Sequence, residues 1–257
     1  MPKGQSSMEY LLILGGAVAV ASIVLIAIIS LAGDAGQATG EQASVYGQIL
    51  AGAMPKTEQP VKAYLKLDEG IGITAADSSG NENNGAITSS GQSVWINGSG
   101  ECFAGSCYSF QCNKGNVKIN DAESLHFTDS LKITAWIEPT AFGDTIVSKK
   151  DSFSLEFNNK GKVYFSVYTE NGLYRVYTNQ TLSLNTPYLI TASFSSKEAK
   201  SKIVVNETEY AVKENRSLQP DEKIAVNTNS VFIGKNEGSA VSRKYFCGKI
   251  DEVKIGN

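Results

Sequence analysis

The chain has 257 residues, 23 Lys+Arg against 26 Asp+Glu, a formal net charge of −3 at pH 7 and one histidine. Phosphate backbones are held by a basic field, so this charge balance excludes nucleic acid as a partner class. Hydrophobic residues make up 42% of the chain, but they are distributed very unevenly along it.

From Tyr10 to Gly33 there is no Asp, Glu, Lys, Arg or His, and Leu11–Ala32 reads LLILGGAVAVASIVLIAIISLA. At about 1.5 Å per residue this predicts an α-helix long enough to cross the roughly 30 Å hydrocarbon core of a bilayer. A secretory signal has a shorter apolar core, about 7 to 15 residues, followed by a small-residue cleavage site, and no such site follows here. Lys3 predicts a cytoplasmic N-terminus with everything after Gly33 outside. Gly15, Gly16, Ala17, Ala19, Ala21 and Ser22 are small enough to let apolar helices approach closely. Glu9, a carboxylate at the edge of this run, is costly unless it is partnered.

Residues 33–54 carry Gly33, Gly36, Gly40, Gly47 and Gly52, which weaken a continuing stalk helix by about 1 kcal/mol each relative to Ala. Pro55 and Pro60 bound a non-helical linker over 55–60. From Val61 the apolar period changes to two. Leu131, Ile133, Ala135 and Ile137 alternate with polar neighbours, as do Phe153, Leu155 and Phe157, then Val163, Phe165 and Val167. Turn residues such as Asn158-Asn159-Lys160-Gly161 and Glu170-Asn171-Gly172 separate these runs, which predicts an antiparallel β-sandwich over 61–257.

Two resemblances add to this reading. Lys3-Gly4-Gln5-Ser6-Ser7-Met8-Glu9-Tyr10-Leu11 resembles the class III signal peptide of archaeal type IV pilin-like proteins. The resemblance implies that a prepilin peptidase cuts between Gly4 and Gln5, removing residues 1–4 as a leader and leaving the apolar helix on the mature chain. It also implies that Glu9 meets the N-terminal amine of a neighbouring subunit as helices bundle into a filament. The second is carried by Ala63-Tyr64-Leu65-Lys66-Leu67-Asp68-Glu69-Gly70, Asp77-Ser78-Ser79-Gly80-Asn81-Glu82-Asn83-Asn84-Gly85, Leu131-Lys132-Ile133-Thr134-Ala135-Trp136-Ile137 and Gly248-Lys249-Ile250-Asp251-Glu252-Val253-Lys254-Ile255. In this order they resemble the laminin-G-like, concanavalin A-like jelly rolls, which often hold Ca²⁺ and bind carbohydrate or protein at one rim.

For calcium, a loop dense in Asp and Asn supplies oxygen ligands, and Asp77, Asn81 and Asn84 fit, with Asp251 at the family's closing acidic position. The same residues equally satisfy backbone groups in a tight turn. Phe110-Gln111-Cys112-Asn113 lacks the acidic residue that related jelly rolls usually carry there.

Cys102, Cys107, Cys112 and Cys247 all lie beyond the apolar run, where oxidising surroundings favour disulfides over a four-thiolate zinc site. Three pairings are open; Cys112 with Cys247 and Cys102 with Cys107 is the favoured set. Sequons for N-glycosylation begin at Asn97, Asn179, Asn206 and Asn215. Trp95, Trp136, Tyr164, Tyr168, Tyr174 and Tyr177 offer rings to sugars, although packing in the core is the commoner use.

His126, in Leu125-His126-Phe127, is expected on an edge strand, and no G-x-S-x-G elbow accompanies it. Glu156 lacks the second carboxylate of an E-x-D-x-E strand, so no glycosidase pair is legible. The expectation is a non-enzymatic, mainly β surface protein: a hydrophobic α-helix followed by a jelly roll. It would act as a minor or adhesive pilin subunit binding glycans or surface partners, held in the membrane before assembly and displayed outside the cell afterwards. A membrane-anchored binding protein that never polymerises is the alternative.

Overall fold

A computed structural model of the protein describes residues 60–88, 94–97, 101–112, 115–237 and 245–257. The chain divides into two units, Met1–Glu58 and Gln59–Asn257. Gly4, Gln5, Glu9, the apolar run, the stalk and linker residues 55–59 lie outside the described residues. Among the described residues, no helix is long and apolar enough to cross a membrane.

The period-two runs become seventeen strands among the described residues. In chain order they are β1 (Val61–Leu65), β2 (Thr74–Ala75), β3 (Gly85–Thr88), β4 (Val94–Asn97), β5 (Ser106–Gln111), β6 (Asn116–Ile119), β7 (Ser130–Pro139), β8 (Thr145–Lys149) and β9 (Phe153–Phe157). They continue with β10 (Val163–Thr169), β11 (Gly172–Thr178), β12 (Tyr188–Ser195), β13 (Lys200–Val205), β14 (Thr208–Tyr210), β15 (Val212–Glu214), β16 (Val231–Ile233) and β17 (Cys247–Gly256). The strand pairs are antiparallel, as the expected sandwich requires.

Two sheets result. An eight-stranded sheet runs β14-β13-β12-β7-β17-β5-β4, with β1 on the far half of β17, and a nine-stranded sheet runs β15-β11-β10-β9-β8-β16-β6-β3-β2. On β7, Leu131, Ile133, Ala135 and Ile137 are buried while Lys132 is exposed, and β9 and β10 send Phe153, Leu155, Phe157, Phe165 and Val167 into the same core. Burial of each such side chain stabilises by about 1.5–3 kcal/mol, which is what holds the two sheets face to face.

The positions between these core residues are where the pattern is informative. Ser154 and Glu156 alternate with Phe153, Leu155 and Phe157, so they face away from the core, yet they are only 6% and 3% exposed. Something covers the outer face of the nine-stranded sheet. Part of the cover is the segment after β16: Ser148 Oγ on β8 donates to the Lys235 carbonyl at 2.7 Å, drawing Lys235 and Asn236 across the face. Gly234 begins this segment at φ +76°, and a Cβ there would sit 2.5 Å from the Phe110 ring, so glycine alone turns the chain outward at that point.

One expectation needs correction. His126 is not on an edge strand; it follows the 3-10 helix Glu123–Leu125, and its N–H bonds back to the Glu123 carbonyl at 3.0 Å. Its ring lies 3.0 Å from Asp121, whose other contact is Lys149 Nζ at 2.7 Å. Lys149 is 1% exposed, and this pair with the Leu125 carbonyl accounts for its charge in the fold.

Candidate functional site

Strand register assembles a polar surface on the outer face of the nine-stranded sheet. Arg175 on β11 is opposite Ser166 on β10, Ser166 is opposite Ser154 on β9, and Ser154 is opposite Ser148 on β8. One step along, Tyr177, Tyr164 and Glu156 form the next row. Each row alternates with core residues on the same strands, so β-pairing alone brings residues 148 to 177 side by side. Tyr164 and Tyr177 are half-buried, tilted by 36° with ring centroids 5.0 Å apart, and the Arg175 guanidinium lies 5.4 Å from the Tyr164 ring centre. At that distance the ring face attracts the cation.

A cleft opens in this surface, lined by Lys150, Ser154, Glu156, Tyr168, Arg175 and Asn236 among others. Arg175 is fixed from both ends: its N–H donates to Asn215 Oδ1 at 2.7 Å, and its Nε donates to Ser166 Oγ at 2.7 Å. Its Nη2 reaches Glu156 Oε1 at 3.5 Å. Burial pushes the Glu156 carboxyl above the usual carboxylate range, while Arg175 and the Asn236 side chain pull it back. Glu156 Oε2 is buried and meets no hydrogen-bond partner among the described residues. A buried carboxylate, a positioned guanidinium, an amide and flanking tyrosines are chemically suited to hydroxyl-rich ligands.

In the loop proposed for calcium, the side chains of Asp77, Asn81 and Asn84 are engaged in hydrogen bonds. Asp77 Oδ1 accepts the N–H groups of Tyr64 and Ser79 at 2.8 and 2.9 Å, and Oδ2 accepts the Ser79 hydroxyl and the Asn83 N–H at 2.7 and 2.9 Å. These donors hold the carboxyl below its ordinary value against the upward push of partial burial. Asn84 Oδ1 accepts the Asp77 N–H at 2.8 Å, and Asn81 Nδ2 donates to the Val61 carbonyl at 3.2 Å. The lone pairs of Asp77 are thus spent on donors that stitch this loop to β1. None of these hydrogen bonds joins Asp251 to the loop, and no group of three or more His, Cys, Asp or Glu among the described residues is placed to hold a metal.

Asp251 instead faces outward from β17, opposite Trp136. It is fully buried because the segment around Phe103 folds over it: its carboxylate accepts the Ala104 N–H at 3.2 Å and the Glu252 N–H at 3.0 Å, and Phe103 lies 6.3 Å from Trp136. Burial raises the Asp251 carboxyl to about 7, with Glu252 and Asp68 adding to the rise and the two N–H donors opposing it.

The structure pairs Cys102 with Cys107 and Cys112 with Cys247. The first closes the segment over Asp251; the second links the residue after β5 to the start of β17, across 135 residues of sequence. Of the sequons, Asn97 and Asn215 donate their side-chain amides to the Gly70 and Leu173 carbonyls, each at 3.0 Å. Asn206 accepts the Leu189 N–H at 2.8 Å, while Asn179 is exposed. Among the aromatics, Tyr174 is buried in the core, and Tyr164, Tyr168 and Tyr177 reach the outer face.

Ser154, Ser166, Arg175 and Asn236 escaped the sequence reading. Period two marks Ser154, Glu156, Ser166 and Arg175 as outward positions, but only strand register shows that they are neighbours, and nothing local brings Asn236 to them.

A family model described as the concanavalin A-like lectin/glucanases superfamily matches residues 112–257. The chain belongs to this superfamily. Solved structures of similar fold include domain 4 of AbnA, a GH43 extracellular arabinanase from Geobacillus stearothermophilus, in complex with arabinotriose. It is 17% identical, with a TM-score of 0.58 over 78% of this chain and 93% of that one. Botulinum neurotoxin type C, in a structure on its entry through two ganglioside molecules, is 13% identical with a TM-score of 0.55 over 77% of this chain and 47% of that one. The binding domain of botulinum neurotoxin DC in complex with SialylT is 12% identical, with a TM-score of 0.52 and coverages of 77% and 47%. This lectin/glucanase superfamily member thus spans about half the length of those two neurotoxin chains. No curated protein matches it.

Proposed function

We propose that this protein binds glycans through the outer face of its nine-stranded sheet and displays that face outside the cell as a pilin-like filament subunit. The observation that carries the binding half is the cleft in which Glu156, Arg175 and Asn236 converge beside Tyr168, with Tyr164 and Tyr177 alongside. Aromatic faces pack against sugar rings while fixed polar groups take their hydroxyls. Arabinotriose bound to the arabinanase domain, and the dependence of type C neurotoxin cell entry on interaction with two ganglioside molecules, support this ligand class. The disulfides fit an oxidising exterior. The site is read as binding rather than catalytic, because Glu156 is engaged by Arg175 and its own strand, Phe153–Phe157, carries no second carboxylate.

The display half rests on the string Lys3 to Leu11 and the uncharged run after it. Cleavage between Gly4 and Gln5 followed by helix bundling through Glu9 would place the jelly roll on a filament surface. Mass spectrometry of the protein recovered from its own cells decides this: a chain beginning at Gln5 supports the filament reading, and one that retains Lys3 sinks it. Glu9→Lys separates the two display modes. It should abolish filaments if the chain is a subunit, and leave cell-surface display unchanged if it is a non-polymerising anchored binder.

A further inference from the structure

We infer that the cleft takes a neutral sugar through two adjacent hydroxyls, one donating to Glu156 Oε2 and its neighbour accepting from Arg175 Nη1. This rests on the glycan-binding reading above and names the substrate class of that same site. Glu156 is 3% exposed and lines the cleft, and its Oε2 meets no donor in hydrogen-bonding geometry among the described residues. A buried acceptor left without a donor costs about 1–3 kcal/mol, more when charged, so this atom carries a standing demand for an O–H or N–H.

The cleft holds about 20 Å³ in all, room for a water or a hydroxyl rather than a whole ring. A sugar ring therefore sits above it, at the level of Tyr168, and sends a hydroxyl down. Arg175 supplies the complement. Its Nε is held by Ser166 and its Nη2 faces Glu156, which leaves Nη1 without a partner among the described residues. An acceptor from β9 and a donor from β11, brought together across β10, match the donor and acceptor of a vicinal diol.

Charge decides against an acidic sugar. A ligand carboxylate drawn to Arg175 would meet the Glu156 carboxylate beside it, and two like charges in a desolvated site oppose one another. Lys150 and Asp151, which also line the cleft, carry opposite charges, and the charge of Lys149 is taken up by Asp121. The cleft offers hydrogen-bonding groups without a net cationic field.

The test uses the full-length protein in detergent micelles, titrated calorimetrically with neutral arabino-, galacto- and gluco-oligosaccharides and with uronate-containing and sialylated counterparts. Binding is expected in the neutral panel. Glu156→Gln and Arg175→Gln, each checked for an unchanged melting profile, should each weaken it about tenfold, the effect of losing one charge-assisted hydrogen bond. Binding confined to the acidic panel, or a folded variant of either kind that keeps wild-type affinity for the neutral sugar, overturns the inference while glycan binding stands. A wild-type protein that binds nothing in either panel overturns the glycan-binding reading itself, and this inference with it.

Discussion

At the scale of single residues, two of the buried carboxylates, Glu222 and Asp251, have opposite consequences. Glu222 is 1% exposed, takes hydrogen bonds from Arg216, Thr169 and the Gln219 N–H, and is held down at about 2, chiefly by Arg216. Its contribution is present above the ordinary Glu value near 4.5 and is lost as pH falls through that value toward 2. Arg216→Ala strands the charge in the interior and should cost about 3–5 kcal/mol at pH 7. Measured by urea unfolding, the loss should shrink below pH 4; a loss equally large at pH 3 would show that packing against Tyr174, not charge, is what Arg216 supplies. Asp251 is the converse case. Its raised value means that the folded state binds a proton more tightly than the unfolded chain, so its contribution is full below about pH 4 and is lost as pH rises to about 7. Asp251→Asn should flatten the stability profile over that window and gain stability at pH 8 relative to wild type. A profile that keeps the wild-type slope from pH 4 to 7 would assign the titration elsewhere.

At the scale of elements, the long disulfide and the β5–β17 ladder do the same job. Cys247 is opposite Gln111 in that ladder, and the Cys112–Cys247 bond closes 135 residues of chain between strands that are already adjacent. Cross-linking over such a span stabilises by roughly 4–5 kcal/mol in the chain-entropy picture. Replacing both cysteines by Ala should therefore lower the melting temperature by about 10 °C or more while far-ultraviolet circular dichroism keeps its β signature, because register is set by Tyr108, Phe110 and Ile250 packing into the core. The Cys102–Cys107 pair spans only five residues and constrains little chain. Its removal should act locally, exposing Trp136 and Asp251, and a rise in Trp fluorescence quenching by iodide with little change in melting temperature is the expected readout.

At the scale of the whole molecule, the sandwich has two different outer faces. On the eight-stranded sheet the Phe103 segment covers Trp136 and Asp251, while on the nine-stranded sheet a cleft lined by Ser154, Glu156 and Arg175 opens in the partly covered outer face. A glycan is therefore expected on the second face alone. The Asp77 loop lies apart from that cleft, with its carboxylate saturated by four donors. Adding calcium or a chelator should leave both the melting temperature and sugar affinity of the full-length protein unchanged. A rise of several degrees with calcium would show that the loop rearranges around an ion, since a ligand bound to the folded state alone must raise stability.

The sequence by itself determined the class of fold. Period-two alternation in runs such as Leu131–Ile137 and Phe153–Phe157 demands half-buried strands, because burying one face of a pleated strand is the only way such a run can remove its apolar groups from water. It likewise determined that Glu156 faces away from the core, and it singled out Asp77 and its asparagines as a loop, though it left turn and ion site equally open. Tertiary structure decided the rest. Register within the β8-to-β11 meander placed Arg175 beside Ser166 and Ser154, and Gly234 with the Ser148 bond carried Asn236 to them from a much later stretch of chain. Asp251 became a buried carboxylate under the Phe103 segment rather than a member of the Asp77 loop. Periodicity reports which side of a strand a residue faces; which residues then stand next to it depends on pairings and crossovers between segments a hundred residues apart, and no local pattern encodes those.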